Sequence, residues 1–203
     1  MIAAIIGIIT AAFFWLLLFG INIINFWYGM VIASGLLAIW SVFNAGRELR
    51  SLFHFKTSYL YWGIFSAIFL YTVFALGNYL SKIIIPGAVT QVSDIYSNKL
   101  GTSPITIGLL LFFWIGPAEE VFWRGLVQRE FARFIGGGRG WILAAVIYAA
   151  VHLWSGNFIL VMAALICGLF WGWIYKKTKS LWPGIISHSI WDIFAFLILP
   201  FGK

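Results

Sequence analysis

Long apolar runs alternate with short polar segments along the chain. The runs lie at 2–20, 26–43, 58–80, 104–131, 141–153, 158–175 and 181–200. Each comes near the ~20 residues an α-helix needs to cross a bilayer, so the pattern predicts about seven transmembrane helices. The fifth run is short, and flanking glycines and Trp154 can extend it. The polar stretch 81–103, with Pro86 and alternating polar positions, predicts an added interfacial helix. No internal repeat is evident. The expected fold is all-α: one integral bundle, with a three-span region and its loop over 1–103 and a four-span core over 104–203.

Composition narrows the class. The chain is 63% hydrophobic and 9% charged, outside the range of soluble globular domains. Twelve Trp and eight Tyr suit the aromatic belts of membrane interfaces. Thirteen Lys and Arg against six acids form no basic stripe and accompany no nucleic-acid motif, so the expected partner is the lipid bilayer and not nucleic acid. Those cations instead set orientation. With the N-terminus cytoplasmic, inner loops hold Arg47, Arg50, Lys56, Arg129, Arg133, Arg139, Lys176, Lys177 and Lys179, and outer segments hold Lys82, Lys99 and Lys203. This positive-inside bias predicts an inner N-terminus and an outer C-terminus.

Smaller signals fit the same picture. The lone Cys167 excludes an intrachain disulfide and a zinc–thiolate cluster. Residues 2–20 are too long and too evenly apolar for a signal-peptide core, and are expected to be a retained span. Gly136, Gly137 and Gly138 form a turn between helices and not a phosphate cradle, since no Lys-Ser/Thr follows. Gly168 and Gly172 form a GxxxG step expected to pack within the chain. A compact chain without a targeting extension suits a multi-pass protein of a prokaryotic plasma membrane.

The apolar run from Ile105 to Ile115 is too short to span alone, so its helix must continue through Glu119 and Glu120. A carboxylate at the centre of a membrane helix costs roughly 2.5–3.5 kcal/mol on insertion scales, and such residues mark function by default. Glu120 and Arg124 are spaced i,i+4 and can pair; Glu119 projects roughly 100° away. Pro117 should kink or restart the helix; a restart would set both glutamates in a first turn, where the dipole favours anions. His188 and Asp192 are also i,i+4, and His152 lies in the fifth span. Counted from the inner helix ends, Glu119, His152 and Asp192 sit at ~15 Å, ~16 Å and ~16 Å and His188 at ~10 Å. Three helices thus present polar groups at one depth, at or on the cytoplasmic side of the midplane.

The set Glu119-Glu120-x-x-x-Arg124, Tyr148-x-x-x-His152 and His188-x-x-x-Asp192 resembles the CPBP family of intramembrane proteases. That family comprises the type II CAAX prenyl endopeptidases and the Abi-type bacteriocin-immunity proteins. The resemblance covers roughly 104–200, and Tyr148 stands where the family usually has Phe. It implies a catalytic set of Glu119, Glu120, Arg124, His152, His188 and Asp192. Glu119 with His152 would activate water against a peptide carbonyl, and His188 with residue 192 would stabilise the oxyanion. An ionised Asp192 would repel an oxyanion, so it is expected to be protonated or to orient His188. The resemblance further implies a peptide or lipidated-peptide substrate, CAAX-like in the family; the depth of the site suits entry from the cytoplasmic side. Metal-independent hydrolysis is expected; the competing chemistry is Zn²⁺ held by His152, His188 and Glu119. The alternatives are a bacteriocin-immunity-type binding protein and a proton-coupled small transporter, the latter without the inverted repeats common in transporters.

Overall fold

The structure is a computed structural model that describes residues 1–21, 24–99 and 101–201. Among the described residues it consists of eight helices and no strands. They are α1 (Ile2–Ile21), α2 (Phe26–Leu52), α3 (Ser58–Ile84), α4 (Ala88–Ser97), α5 (Pro104–Ile135), α6 (Gly137–Val151), α7 (Phe158–Thr178) and α8 (Trp182–Ile198). Five of these, α1, α2, α3, α5 and α7, are long and apolar enough to cross a membrane. The predicted fifth and seventh runs form the shorter helices α6 and α8. α4 is the helix expected in the 81–103 loop.

Local chemistry sets the helix ends. The Asn25 side chain accepts from the N–H groups of Trp27 and Tyr28 at 3.0 and 3.3 Å, capping α2. Asn157 caps α7 in the same way, through the Leu160 N–H at 2.9 Å. Pro104 occupies the first turn of α5, where its missing N–H is harmless. Lys179, in the left-handed region at φ 56°, closes α7.

α5 is the central strut. α2, α6 and α8 pack around it, α8 runs along α3, and α6 lies along α7. The GxxxG step serves the last of these contacts: a Cβ on Gly168 would meet Ala145 Cα at 3.1 Å, and one on Gly172 would meet Trp141 at 2.6 Å. The outer faces stay apolar, with Phe13, Ile32, Phe65, Phe69 and Phe113 all exposed. A soluble protein would bury such side chains; a bilayer solvates them.

Two end faces are chemically distinct. On one, the Leu181 N–H bonds to the Leu52 carbonyl at 2.9 Å, Ser180 Oγ donates to the His54 carbonyl at 2.7 Å, and Arg133 pairs with Glu48. All nine cations assigned to inner loops lie in the segments that meet at this face. On the other, Trp27 Nε1 donates to the Asn98 carbonyl at 2.8 Å and Asn157 Nδ2 to the Gln91 carbonyl at 2.7 Å. Lys82 and Lys99 belong there, and Lys203 lies outside the described residues.

Candidate active site

Pro117 does not restart its helix. α5 runs unbroken, wound as a π-helix over Leu111–Ile115 and again over Trp123–Gln128. In the first π turn the Gly116 N–H reaches back to the Leu111 carbonyl. In that register the next acceptor, the Phe112 carbonyl, falls to Pro117, which has no N–H to give. Ser189 Oγ from α8 fills the position, donating to the Phe112 carbonyl at 2.8 Å. The glutamates therefore do not sit at a free helix N-terminus, and the dipole reading of their charge is corrected. What the proline provides is a π turn stitched to α8.

Glu119 and Glu120 leave this helix in different directions. Glu120 is 1% exposed, and its Oε1 accepts from Arg124 Nη1 at 2.9 Å and from His188 Nδ1 at 3.0 Å. Its Oε2 lies against Gly184, where a Cβ would stand 2.7 Å away. Arg124 also donates to the Cys167 carbonyl at 3.3 Å, and its guanidinium lies over the rings of Tyr148 and Trp171 at 5.3 and 5.5 Å. His188 stacks on Trp171, ring centroids 3.8 Å apart and planes 20° from parallel. His188 Nε2 lies 3.7 Å from Asp192 Oδ2, a charge-pair separation too long for a hydrogen bond. The two i,i+4 pairs read separately in the sequence are thus one chain: Arg124, Glu120, His188, Asp192.

Glu119 faces the other way. Its Oε2 accepts from the Tyr148 hydroxyl at 2.8 Å, so the hydroxyl that distinguishes this chain from the usual Phe has a defined partner. His152 follows Tyr148 by one turn, with Nδ1 2.7 Å from the Tyr148 carbonyl. Its Nε2 meets Trp15 Nε1 of α1 at 3.1 Å.

Glu119, Tyr148, His152, His188 and Asp192 line one cavity of about 500 Å³, whose lining includes neither Glu120 nor Arg124. The remaining wall is largely apolar, drawn from Phe19, Met30, Phe74, Val92, Ala164 and Phe196 among others. Ser81, Ile85 and Tyr96 carry the lining to the cation-poor face, and none of the nine basic residues takes part. Entry from the basic face, expected from residue depths, is not what this geometry offers. Glu119, His152, His188 and Asp192, counted to one level in the sequence, share this cavity, and such a count carries no information on how either end of the bundle is packed. Tyr96, on α4 at that end, donates to the Ala195 carbonyl at 2.6 Å, and burial pushes its phenol up to about 12, so it stays a neutral strut.

The residues do not fit a zinc centre. Among the described residues no three His, Cys, Asp or Glu side chains gather as metal ligands. Both nitrogens of His152 are engaged, and an indole N–H occupies the lone pair that a metal would need. The set His152, His188 and Glu119 shares a cavity without converging on a point.

Sequence reasoning missed Trp15 and Trp171. Nothing marks either among twelve tryptophans, because each matters only through a histidine brought to it by packing. A comparison with curated proteins and one with solved structures each gave no match. Residues 101–194, which include all six residues of the predicted catalytic set, match the model of the family described as Type II CAAX prenyl endopeptidase Rce1-like.

Proposed function

We propose that the protein is an intramembrane endopeptidase in which Glu119 is the general base. One observation carries this reading: of two adjacent buried carboxylates, Glu119 faces the cavity, while Glu120 is held behind it by Arg124 and His188. A water beside Glu119 gives its proton to the carboxylate as its oxygen bonds to the substrate carbonyl carbon. The C–N bond then breaks, and the proton passes from Glu119 to the leaving amine. His188 faces the developing oxyanion; with Nδ1 committed to Glu120, its protonated Nε2 is the donor aimed at the cavity. Asp192, near that nitrogen, orients it. His152 takes no proton in this arrangement, since both its nitrogens are engaged. No metal enters the scheme.

The largely apolar wall suits a peptide with a lipid-like or strongly apolar neighbour to its scissile bond. The basic face lies in the cytoplasm on the positive-inside rule, so the cavity is reached from the opposite leaflet or laterally from it.

The test compares new peptide termini across the membrane proteome of cells making wild-type protein or Glu119→Gln at equal abundance. Termini present only with wild type are expected, and their flanking residues give the cleavage preference. Matching termini in both, with any phenotype surviving in the variant, would return the protein to the immunity-type binding class.

A further inference from the structure

We infer that Trp15, in the part of the chain outside the family match, is a positioning residue that fixes the tautomer and charge of His152. Trp15 is fully buried, with 0% of its surface exposed, and its indole Nε1 lies 3.1 Å from His152 Nε2. An indole N–H can only donate, and a backbone carbonyl can only accept. The Nε2 of His152 must therefore present its lone pair to Trp15, and Nδ1 must carry the proton that meets the Tyr148 carbonyl at 2.7 Å. A second proton on Nε2 would oppose two donors head-on. The imidazole is neutral, in its Nδ1–H form, with no free lone pair.

The rings hold this geometry. The His152 ring meets Trp15 edge-on at 5.8 Å and 79°, Tyr148 at 5.0 Å and Phe19 at 5.8 Å. Trp15 itself packs edge-on against Trp123 at 6.4 Å. The titratable groups lining the shared cavity from the other elements are Tyr96 on α4, Glu119 on α5, Cys167 on α7, and His188 and Asp192 on α8, with Tyr148 on α6 itself. The hydrogen-bond partners of the His152 ring are Trp15 and the Tyr148 carbonyl, so α1 and α6 alone settle the ring's proton. The consequence, which rests on the protease reading above, is that α1 leaves Glu119 as the sole base and keeps His152 from competing for water.

The protein has three histidines, which makes the test direct. Full-length protein labelled with ¹⁵N-histidine is compared as wild type, Trp15→Phe and Trp123→Phe, with His152→Ala for assignment. Trp123 is the packing control: its ring lies against Trp15 and Tyr148, and among the described residues its buried indole N–H has no hydrogen-bond partner, so Trp123→Phe disturbs the same cluster without removing a bond. Wild type should show His152 as the neutral Nδ1–H tautomer. Trp15→Phe should move the Nε2 resonance and mix tautomers, while Trp123→Phe leaves both nitrogens in place. The cleavage rate of Trp15→Phe should fall by about tenfold, less than the ~10²–10⁴-fold that removing a general base costs, because Glu119 stays in place. A wild-type Nε2–H tautomer, a His152 signal indifferent to Trp15→Phe, or a shifted tautomer with an unchanged rate would each overturn the inference. Wild-type protein that cleaves nothing would remove the protease reading and the role in cleavage together, and leave the tautomer assignment standing on its spectrum.

Discussion

Glu119 and Glu120 are neighbours in sequence with opposite surroundings. Glu120 is enclosed: Arg124 and His188 share one of its oxygens, and Gly184 closes on the other. Glu119 accepts one hydroxyl, that of Tyr148, and otherwise faces open cavity. One step of a helix, roughly 100°, separates a carboxylate that ties helices together from one free to react. Buried charge in a membrane protein is thus no single signal. The partners decide whether it is scaffold or chemistry.

Substitutions can break that comparison at either end. Glu119→Gln keeps the size and the bond from Tyr148 but removes the base. Cleavage should fall about 10²–10⁴-fold while thermal stability in detergent hardly moves. Arg124→Ala should do the reverse, stranding Glu120 and His188 without their cation. Breaking a buried pair costs about 3–5 kcal/mol, so yield and melting temperature should collapse before activity can be read. Gly184→Ala forces a methyl against Glu120 Oε2. Overpacking of this kind costs about 1–3 kcal/mol, visible as a lowered melting temperature with residual cleavage.

Smaller effects sharpen the contrast. Tyr148→Phe restores the residue usual in the family and removes the only hydrogen bond to Glu119 among the described residues. A bond to a charged group contributes about 1.5–3 kcal/mol, so a modestly lowered melting temperature is expected together with a rate loss of about tenfold. Asp192→Asn should be mildest, holding cleavage within about tenfold, since an amide can still face His188 and can donate to an oxyanion. A collapse to the level of Glu119→Gln would mean that the charge of Asp192 is needed to hold His188 in its working form.

Much of the scaffold was legible because membrane helices are written in composition. The runs at 2–20, 26–43 and 58–80 became α1, α2 and α3, lengthened mainly at their C-terminal ends, where polar residues continue the helix past the apolar core. The span count was less legible. α6 and α8 fall short of the ~20 residues that a bilayer asks of a helix, α6 ending where the turn over His152–Ser155 begins. At the site, i,i+4 spacing revealed the pairs Glu120–Arg124 and His188–Asp192, since helical geometry alone makes such residues neighbours. It could not reveal the join between them, the bond from Ser189 to Phe112, or the approach of Trp15 to His152. Each spans helices far apart in the chain.

The sequence by itself determined that this chain is a multi-pass helical membrane protein, which polar residues lie in its apolar interior, and which ends of the helices carry its cations. These follow from hydropathy, helical periodicity and charge, all local properties of a chain in lipid. Only the tertiary structure decided which glutamate faces the cavity, which partner each nitrogen of His152 meets, and toward which face the cavity lining extends. Those depend on the rotation and depth at which helices meet, and many rotations satisfy the same apolar pattern.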